Sequence, residues 1–494
     1  MLNLFSKHFL IFYNYFFYFK IYIILYIYKM SSNDRIPDLM KLGEIKTDMA
    51  QVVTTDIIEP SVVSDSFARF TLDRRVGFLH SNSKIALSVV PLTNAKAYFP
   101  LNIGVGSLIQ RAVLKIGQRT ISETQDFAHL HAYSSMFLTN ENNKEREQYL
   151  SQRAIAHKNV NSSMTDLLSA NRVGIDNGVE TDFTGASQGV FLHKFQEIDA
   201  TDADTIKQSP VYSIYLSDLF GMLSTFQLPA YMLDDPIFVE LTFTPPLTSI
   251  ADGVNNQSQR CCTNLTGTEA VSYAIDQNEL KMIYDSISYD GEVMEKYRDQ
   301  NKSISFSFKE YTLAKRTGVQ TDFANLVFNV GGNGRLVSKC IIGLESNANF
   351  VSRSLINGYG SFAPVNGQEA TLNLLYNDRY EFSHDRSNNA LLFSTTQQSE
   401  GAVPMVTRGE YSREAGALTI TAHGFEGNIQ NTGLSGRFFW NSIRPNRAER
   451  VNSRGMDLTY KNPALTAGTY TLRVWLELLK VCELVDGKMT SRFA

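Results

Sequence analysis

Ser303-Ile-Ser-Phe-Ser-Phe308 alternates polar and apolar side chains without a break, and a period of two puts every apolar residue on one face of a β-strand. Its position matters as much as its pattern. Just before it stands a charged segment, Gly291-Glu-Val-Met-Glu-Lys-Tyr-Arg298, which reads as one or two helical turns. Before that, Leu280 to Tyr289 (LKMIYDSISY) alternates again. A strand, a short helix and a fresh run of strands mark the place where one β-unit ends and another begins. The boundary is placed at residues 291–302, with one unit over 56–290 and the other over 303–494.

Outward from this boundary both halves have the same texture. On the N-terminal side, Phe67-Ala-Arg-Phe70, Lys84-Ile-Ala-Leu-Ser-Val-Val90 and Ser107 to Ile116 read as strands. The last closes at Gly117 and resumes at Arg119-Thr-Ile121, while Ile237-Phe-Val-Glu-Leu-Thr-Phe243 runs into Pro245-Pro246, a stop for any sheet interior. On the C-terminal side, Gly331-Gly-Asn-Gly334 marks a turn between strands, and Gly416 to Ala422 alternates strictly. Tyr470, Leu472, Val474 and Leu476 share one face of the last strong strand, with Thr471, Arg473 and Trp475 on the other. Many short strands with Gly, Asn and Pro turns, in two successive blocks, predict two β-sandwiches.

Helical pattern is limited to insertions between strands. Thr124 to about Arg153 carries Phe127, Leu130, Met136, Phe137 and Leu138 before a charged run, and Ser217 to Leu223 offers Ser217 as an N-cap. The polar stretches at about 155–208, 246–270 and 360–415 read as loops too long for plain connections.

The chain of 494 residues is long enough for two such domains. Its 31 Phe and 23 Tyr suit broad aromatic packing between sheets. A net charge of −4 supplies no basic field for a nucleic-acid backbone, which excludes a genome-binding role read from charge. Residues 30–55 form a polar arm. Residues 1–29 are densely aromatic, but Lys20 splits them into apolar blocks shorter than the roughly 20 residues of a membrane span. Apart from Ser6, His8 and Met1, that stretch uses residue types that codons of A and T alone encode. It reads as translated upstream DNA, with Met30 the expected start, in preference to a membrane anchor.

Chemistry finds little support. Cys261, Cys262, Cys340 and Cys482 have no zinc-type spacing and read as incidental thiols. His129-Leu-His131 is a candidate metal pair, but on a helical segment positions i and i+2 point to different faces, and no third ligand is near in sequence. Gly104-Val-Gly106 precedes a strand instead of opening a helix, and no third glycine follows, so it reads as a turn. Asp234-Asp235 and Asp56/Glu59 are isolated acidic pairs of the kind found in solvated turns. The sequons at Asn161, Asn256, Asn264 and Asn301 are no more frequent than chance provides. No nucleotide loop or nucleophile elbow is present. The reading is therefore of a protein that is not an enzyme, with no catalytic, cofactor-binding or metal-ligating residue assigned.

Tyr215-Leu-Ser-Asp-Leu-Phe-Gly-Met-Leu-Ser-Thr-Phe-Gln-Leu-Pro229, followed by Ile237 to Phe243, resembles the double jelly-roll major capsid proteins of Polinton-like viruses, virophages and nucleocytoplasmic large DNA viruses. Ser107 to Ile121 is similar to a first-domain strand pair of that family. Leu280 to Arg298 resembles its last first-domain strand and inter-domain helix, and Tyr376-Asn-Asp-Arg-Tyr380 a second-domain segment. The resemblance spans most of residues 60–485. It implies a mainly β fold of two consecutive eight-stranded jelly-roll sandwiches with short inserted helices. It further implies a homotrimeric, pseudo-hexagonal capsomer that tiles an icosahedral virion shell and is assembled inside a host cell. Implied partners are further copies of the chain, penton and minor capsid proteins, and in some members an internal membrane. By the same analogy the stretches 155–208 and 360–415 are outward towers and trimer clasps, and the arm at 30–55 a lateral or inner tie. A β-sandwich binding module displayed on a virion or cell, spike-like or lectin-like, is the alternative. Only Trp440 and Trp475 are present to build a carbohydrate platform for it.

Overall fold

Each stretch of alternation becomes a strand because its apolar face has a second sheet to bury it. The computed structural model describes residues 52–72, 76–91, 96–97, 104–134, 198–199, 212–244, 273–346, 371–377, 379–384, 439–443, 450–461 and 467–494. Eight principal strands form the first half: β1 (Val52–Ile58), β2 (Phe67–Leu72), β3 (Lys84–Leu87), β4 (Ile109–Ile116), β5 (Arg119–Gln125), β6 (Tyr212–Tyr215), β7 (Ile237–Phe243) and β8 (Lys281–Ser288). They pair in two antiparallel sheets, ordered β1-β8-β3-β6 and β2-β7-β4-β5. Buried Ala68, Phe70 and Leu72 of β2, Val239 and Leu241 of β7, and Met282 and Tyr284 of β8 fill the space between.

The second half repeats this plan. Its strands are β9 (Ser303–Val319), β10 (Leu326–Gly331), β11 (Val337–Ser346), β12 (Thr371–Tyr376), β13 (Arg379–His384), β14 (Phe439–Ile443), β15 (Met456–Lys461) and β16 (Thr469–Val485). Their sheets run β9-β16-β11-β14 and β10-β15-β12-β13. Adding eight to each strand number of the first half reproduces both orders. Both are the order of a jelly roll, two Greek keys folded over one core. A final strand, β17 (Lys488–Phe493), turns back on β16 through Asp486-Gly487. Both turn residues have positive φ, 46° and 77°, as a tight hairpin demands.

The strand order also gives each roll two unlike ends. Within the first roll, β1–β2, β3–β4, β5–β6 and β7–β8 connect at one end, and the remaining links connect at the other. The stretches 126–211 and 244–280 therefore leave from and return to the same end. The counterpart of 126–211 in the second roll is 385–438. At the opposite end, β4–β5 and β12–β13 are joined by two-residue turns.

A helix, α4 (Gly291–Gln300), joins β8 to β9. Asp290 caps it by accepting a hydrogen bond from the Glu292 amide, and Arg298 lies in its last turn, where the helix dipole favours a cation. Its Tyr297 is buried edge-on against Phe78, which also meets Tyr231 and Tyr289 in steeply inclined ring contacts. The connecting helix is thus anchored on the first roll.

The other helical pieces differ from the sequence expectation. Thr124, where the first predicted helix begins, lies instead in β5 opposite Ala112. The helix itself, α1, spans Phe127–Ser134 and starts only after Asp126 turns the chain at φ 50°. The remainder of that predicted helix, 135–153, lies outside the described residues. Ser217 is not an N-cap: α2 (Leu216–Leu219) starts one residue earlier, with Tyr215 at the cap position and no side-chain capping bond. The predicted single helix also breaks at Phe220, which is extended, and resumes as α3 (Gly221–Thr225). Burial of the Phe220 ring outweighs helix continuity there.

The predicted loops need correction too. The stretch 360–415 is not one loop, since β12 and β13 lie within it. Within 155–208 the described residues are Ile198 and Asp199, which pair with Ala97 and Lys96. The expected arm at 30–55 overlaps β1, whose Val52 already pairs with Ser288. Residues 1–29, the loop at 246–270 and the alternating run at 416–422 lie outside the described residues.

Candidate functional site

Buried charge gathers where the two rolls meet. The free edge of β5 runs beside β9, the outermost strand of the second roll, and the contacts advance in step along both. The Ser491 hydroxyl of β17 donates to the Thr120 carbonyl at 3.3 Å, the Glu123 amide donates to the Glu310 carboxylate, and Lys315 reaches Asp126 at 3.5 Å. The rolls therefore lie side by side with their long connections at the same end. Phe306 of β9 stacks on Phe226 beyond α3, with centroids 3.7 Å apart, and Ile304, Phe308, Cys482 and Leu484 join the core of the first roll. In exchange, Ala128 and Leu130 of α1 enter the core of the second.

Two carboxylates, Asp126 and Glu310, organise the polar part of this seam, and a third, Glu477, is buried within the second roll. Asp126 accepts from Arg473 Nε at 2.9 Å, and both side chains are nearly inaccessible, 8% and 1% exposed. Burial alone would raise the Asp126 pKa, but Arg473 first, then His129 and Lys315, hold it well below the usual carboxylate range. Glu310 receives Lys480 Nζ at 2.6 Å and, on its other oxygen, the backbone amide of Glu123. A side chain thereby satisfies an open edge strand, which would otherwise invite foreign pairing. Glu477 is surrounded by four donors: Ser338 at 2.6 Å, Tyr311 at 2.7 Å, Lys309 at 2.8 Å and Lys339 at 3.5 Å.

Burial pushes the Glu477 pKa upward, yet the charge of Lys339 and the hydrogen bonds from Lys309, Ser338 and Tyr311 outweigh it and hold the group at about 2. A carboxylate whose pKa is depressed by folding adds stability above its unfolded value, near pH 4.5, and loses it as pH falls toward 2. The expected contribution is about 3 kcal/mol. Glu477→Gln should therefore flatten the acid side of a stability-against-pH curve, measured by urea unfolding from about pH 7 down to about pH 3. An unchanged slope would mean that Glu477 is not held ionised.

His129 is buried beside Asp126, while His131 stacks on Phe127 with centroids 4.9 Å apart, so the two side chains serve different packing sites. Among the described residues no three His, Cys, Asp or Glu side chains gather as metal ligands would. Asp56 lies on β1 opposite Tyr284, and Asp234 gives its amide to the Gly487 carbonyl at 2.9 Å. Gly104 to Leu108 form a buried 3-10 turn that leads into β4. Cys340 and Cys482 are buried, which pushes each thiol up to about 12. Asn301 closes α4, its side-chain amide donating to the Tyr297 carbonyl at 2.9 Å. Cys261, Cys262 and the sequons at Asn161, Asn256 and Asn264 lie outside the described residues. Motif reasoning passes over the seam residues, because none of them belongs to a motif. Their trace in the sequence is Arg473 and Trp475 on the second face of a strand whose first face is already apolar.

No protein-family model and no curated protein matches the chain. Solved structures do. A chain in the 3.5 Å cryo-EM structure of the Sputnik virophage superposes with a TM-score of 0.53 at 12% identity, covering 92% of this chain and 90% of that one. The PBCV-1 virus capsid gives 0.49 at 11% identity over 92% of this chain and 99% of that chain. The mavirus major capsid protein gives 0.45 at 10% identity over 94% and 93%. At such identity the likeness is one of fold: this chain is a double jelly roll of the kind found in the Sputnik virophage particle.

Proposed function

We propose that the chain is a major capsid protein, the shell-building subunit of a double-stranded DNA virus, and that it works by self-assembly. One observation carries the reading: two jelly rolls of the same strand order, locked edge to edge, match the virophage chain over nearly the full length of both. The buried Asp126–Arg473 pair, which joins the first roll to the second, supports this reading by holding the two rolls in register. The unit of assembly is a homotrimer with six rolls around one axis, which presents a pseudo-hexagonal outline to its neighbours. Assembly takes place in a host cell. The partners are neighbouring capsomers, penton and minor capsid proteins, and the underlying membrane where a virion has one. The ends that carry 126–211 and 385–438 face outward.

Light scattering on the purified full-length chain, with negative-stain images of the main peak, tests this. A species of three chain masses with hexagonal outlines is the expected result. A monomer that binds glycans would overturn it in favour of the displayed binding module.

A further inference from the structure

The strand β17 stands outside the order of either jelly roll. It pairs along the final stretch of β16, Lys480 to Val485, because β11 pairs with β16 no further than Leu478. The first roll has the same gap, since β3 pairs with β8 no further than Ile283. There Phe78-Leu79, from the link between β2 and β3, fills the place by pairing with Ser286 and Ile287. The first roll thus closes this edge with its own chain. In the second roll β17 closes it, and β17 also reaches across to the first roll.

Its three inward side chains serve three different places. Met489, 2% exposed, joins the core of the first roll together with Cys482 and Leu484. The Ser491 hydroxyl holds the Thr120 carbonyl of β5. Phe493 packs against the core of the second roll, with the Arg335 guanidinium 4.2 Å from its ring centroid. Lys480 Nζ lies 5.1 Å from the same ring, so Phe493 flanks the ammonium whose partner, Glu310, binds the Glu123 amide of β5. Both ends of the strand are tied, and to different rolls. At the turn the Asp234 amide of the first roll donates to the Gly487 carbonyl at 2.9 Å. At the other end the Ala494 amide donates to the Leu479 carbonyl at 2.9 Å, and the Ala494 carbonyl accepts from the Leu336 amide at 3.1 Å.

We propose that β17 is a strap that fastens the two rolls side by side, and that the seam loosens when the strap lifts while both sandwiches stay folded. Among the described residues β17 pairs with β16 alone, and a six-residue strand held on one edge opens at lower free energy than the sheets it joins. Lifting it withdraws Met489 from one core and Phe493 from the other without breaking any pairing within the sixteen roll strands. The strap concerns a single chain and stands independently of how chains assemble.

Residue-resolved hydrogen exchange on the full-length chain tests this, with far-ultraviolet circular dichroism as the check on folding. In the wild type, β17 and the Glu123 amide should exchange about tenfold or more faster than the central strands β7 and β15, as a unit that opens before the rolls do. Met489→Ala/Phe493→Ala should quicken β17 and the Glu123 amide by a further factor of about ten or more, the scale set by withdrawing a buried apolar side chain, with strand content unchanged. Thr490→Ala, exposed on the same strand, is the control and should leave the Glu123 amide at the wild-type rate. Exchange of β17 and Glu123 no faster than that of β7 and β15 in the wild type overturns the proposal, because β17 is then part of one cooperative fold. A double variant that quickens β17 but leaves Glu123 at the control rate also overturns it, because β17 is then an edge strand that fastens nothing. Should the double variant fail to fold, Gly487→Ala takes its place: the added Cβ, at a φ of 77°, would lie 2.3 Å from the Asp234 carboxylate and lift the turn off the first roll. An unmoved Glu123 amide in that variant overturns the strap.

Discussion

Asp126→Asn is expected to destabilise the fold by about 3–5 kcal/mol, the cost of leaving a buried charge without its counter-ion. Asparagine keeps the shape of the side chain and tolerates the φ of 50° at this position, so the change isolates the charge. Arg473, 1% exposed, would remain with Lys315 and His129 around it and no carboxylate at 2.9 Å. Its own strand offers no escape, because β16 is buried on both faces from Tyr470 to Leu478. Urea unfolding followed by tryptophan fluorescence reads this directly, since Trp475 sits at the same seam. Adding Arg473→Met should recover much of the loss, as an apolar replacement of a whole buried pair often does. A single variant as stable as wild-type would show that the pair is not buried in solution.

Phe306→Ala is expected to cost about 3–5 kcal/mol through the cavity it leaves. The ring belongs by sequence to the second roll and by packing to the first, where it stacks on Phe226 and lines up with Ile304 and Phe308. Its loss should loosen the docking of the two rolls before it unfolds either. Limited proteolysis within α4 should therefore accelerate. Ser307→Ala, one residue on and exposed, is the control and should stay within about 0.5 kcal/mol of wild-type. Equal cleavage rates for the two variants would mean that the seam does not depend on this stack.

The alternation at 303–308 is legible because it is local, but its meaning is not. A period of two identifies the apolar face of a strand without naming what covers it, and here Phe306 and Phe308 face the neighbouring roll. Tyr470 to Leu476 likewise reads as one apolar face, with Thr471, Arg473 and Trp475 opposite. In the fold both faces are buried, the second because the neighbouring roll lies against it. The short helices depart from their sequence pattern for the same reason. Phe220 interrupts one because its ring is drawn into the core, and Asp126 delays another because its backbone must turn where its carboxylate meets Arg473.

By itself the sequence determined the features that depend on close neighbours along the chain: the strands among the described residues and their turns at Gly117 and at Gly331 to Gly334. Only the tertiary structure decided which edges meet, that β5 lies beside β9, and that Asp126, Glu310 and Glu477 are sealed among cations from distant strands. The physical reason is separation. Alternation and turn chemistry act over a few residues, whereas the partner of Asp126 lies 347 positions away and becomes a neighbour only after both rolls have closed.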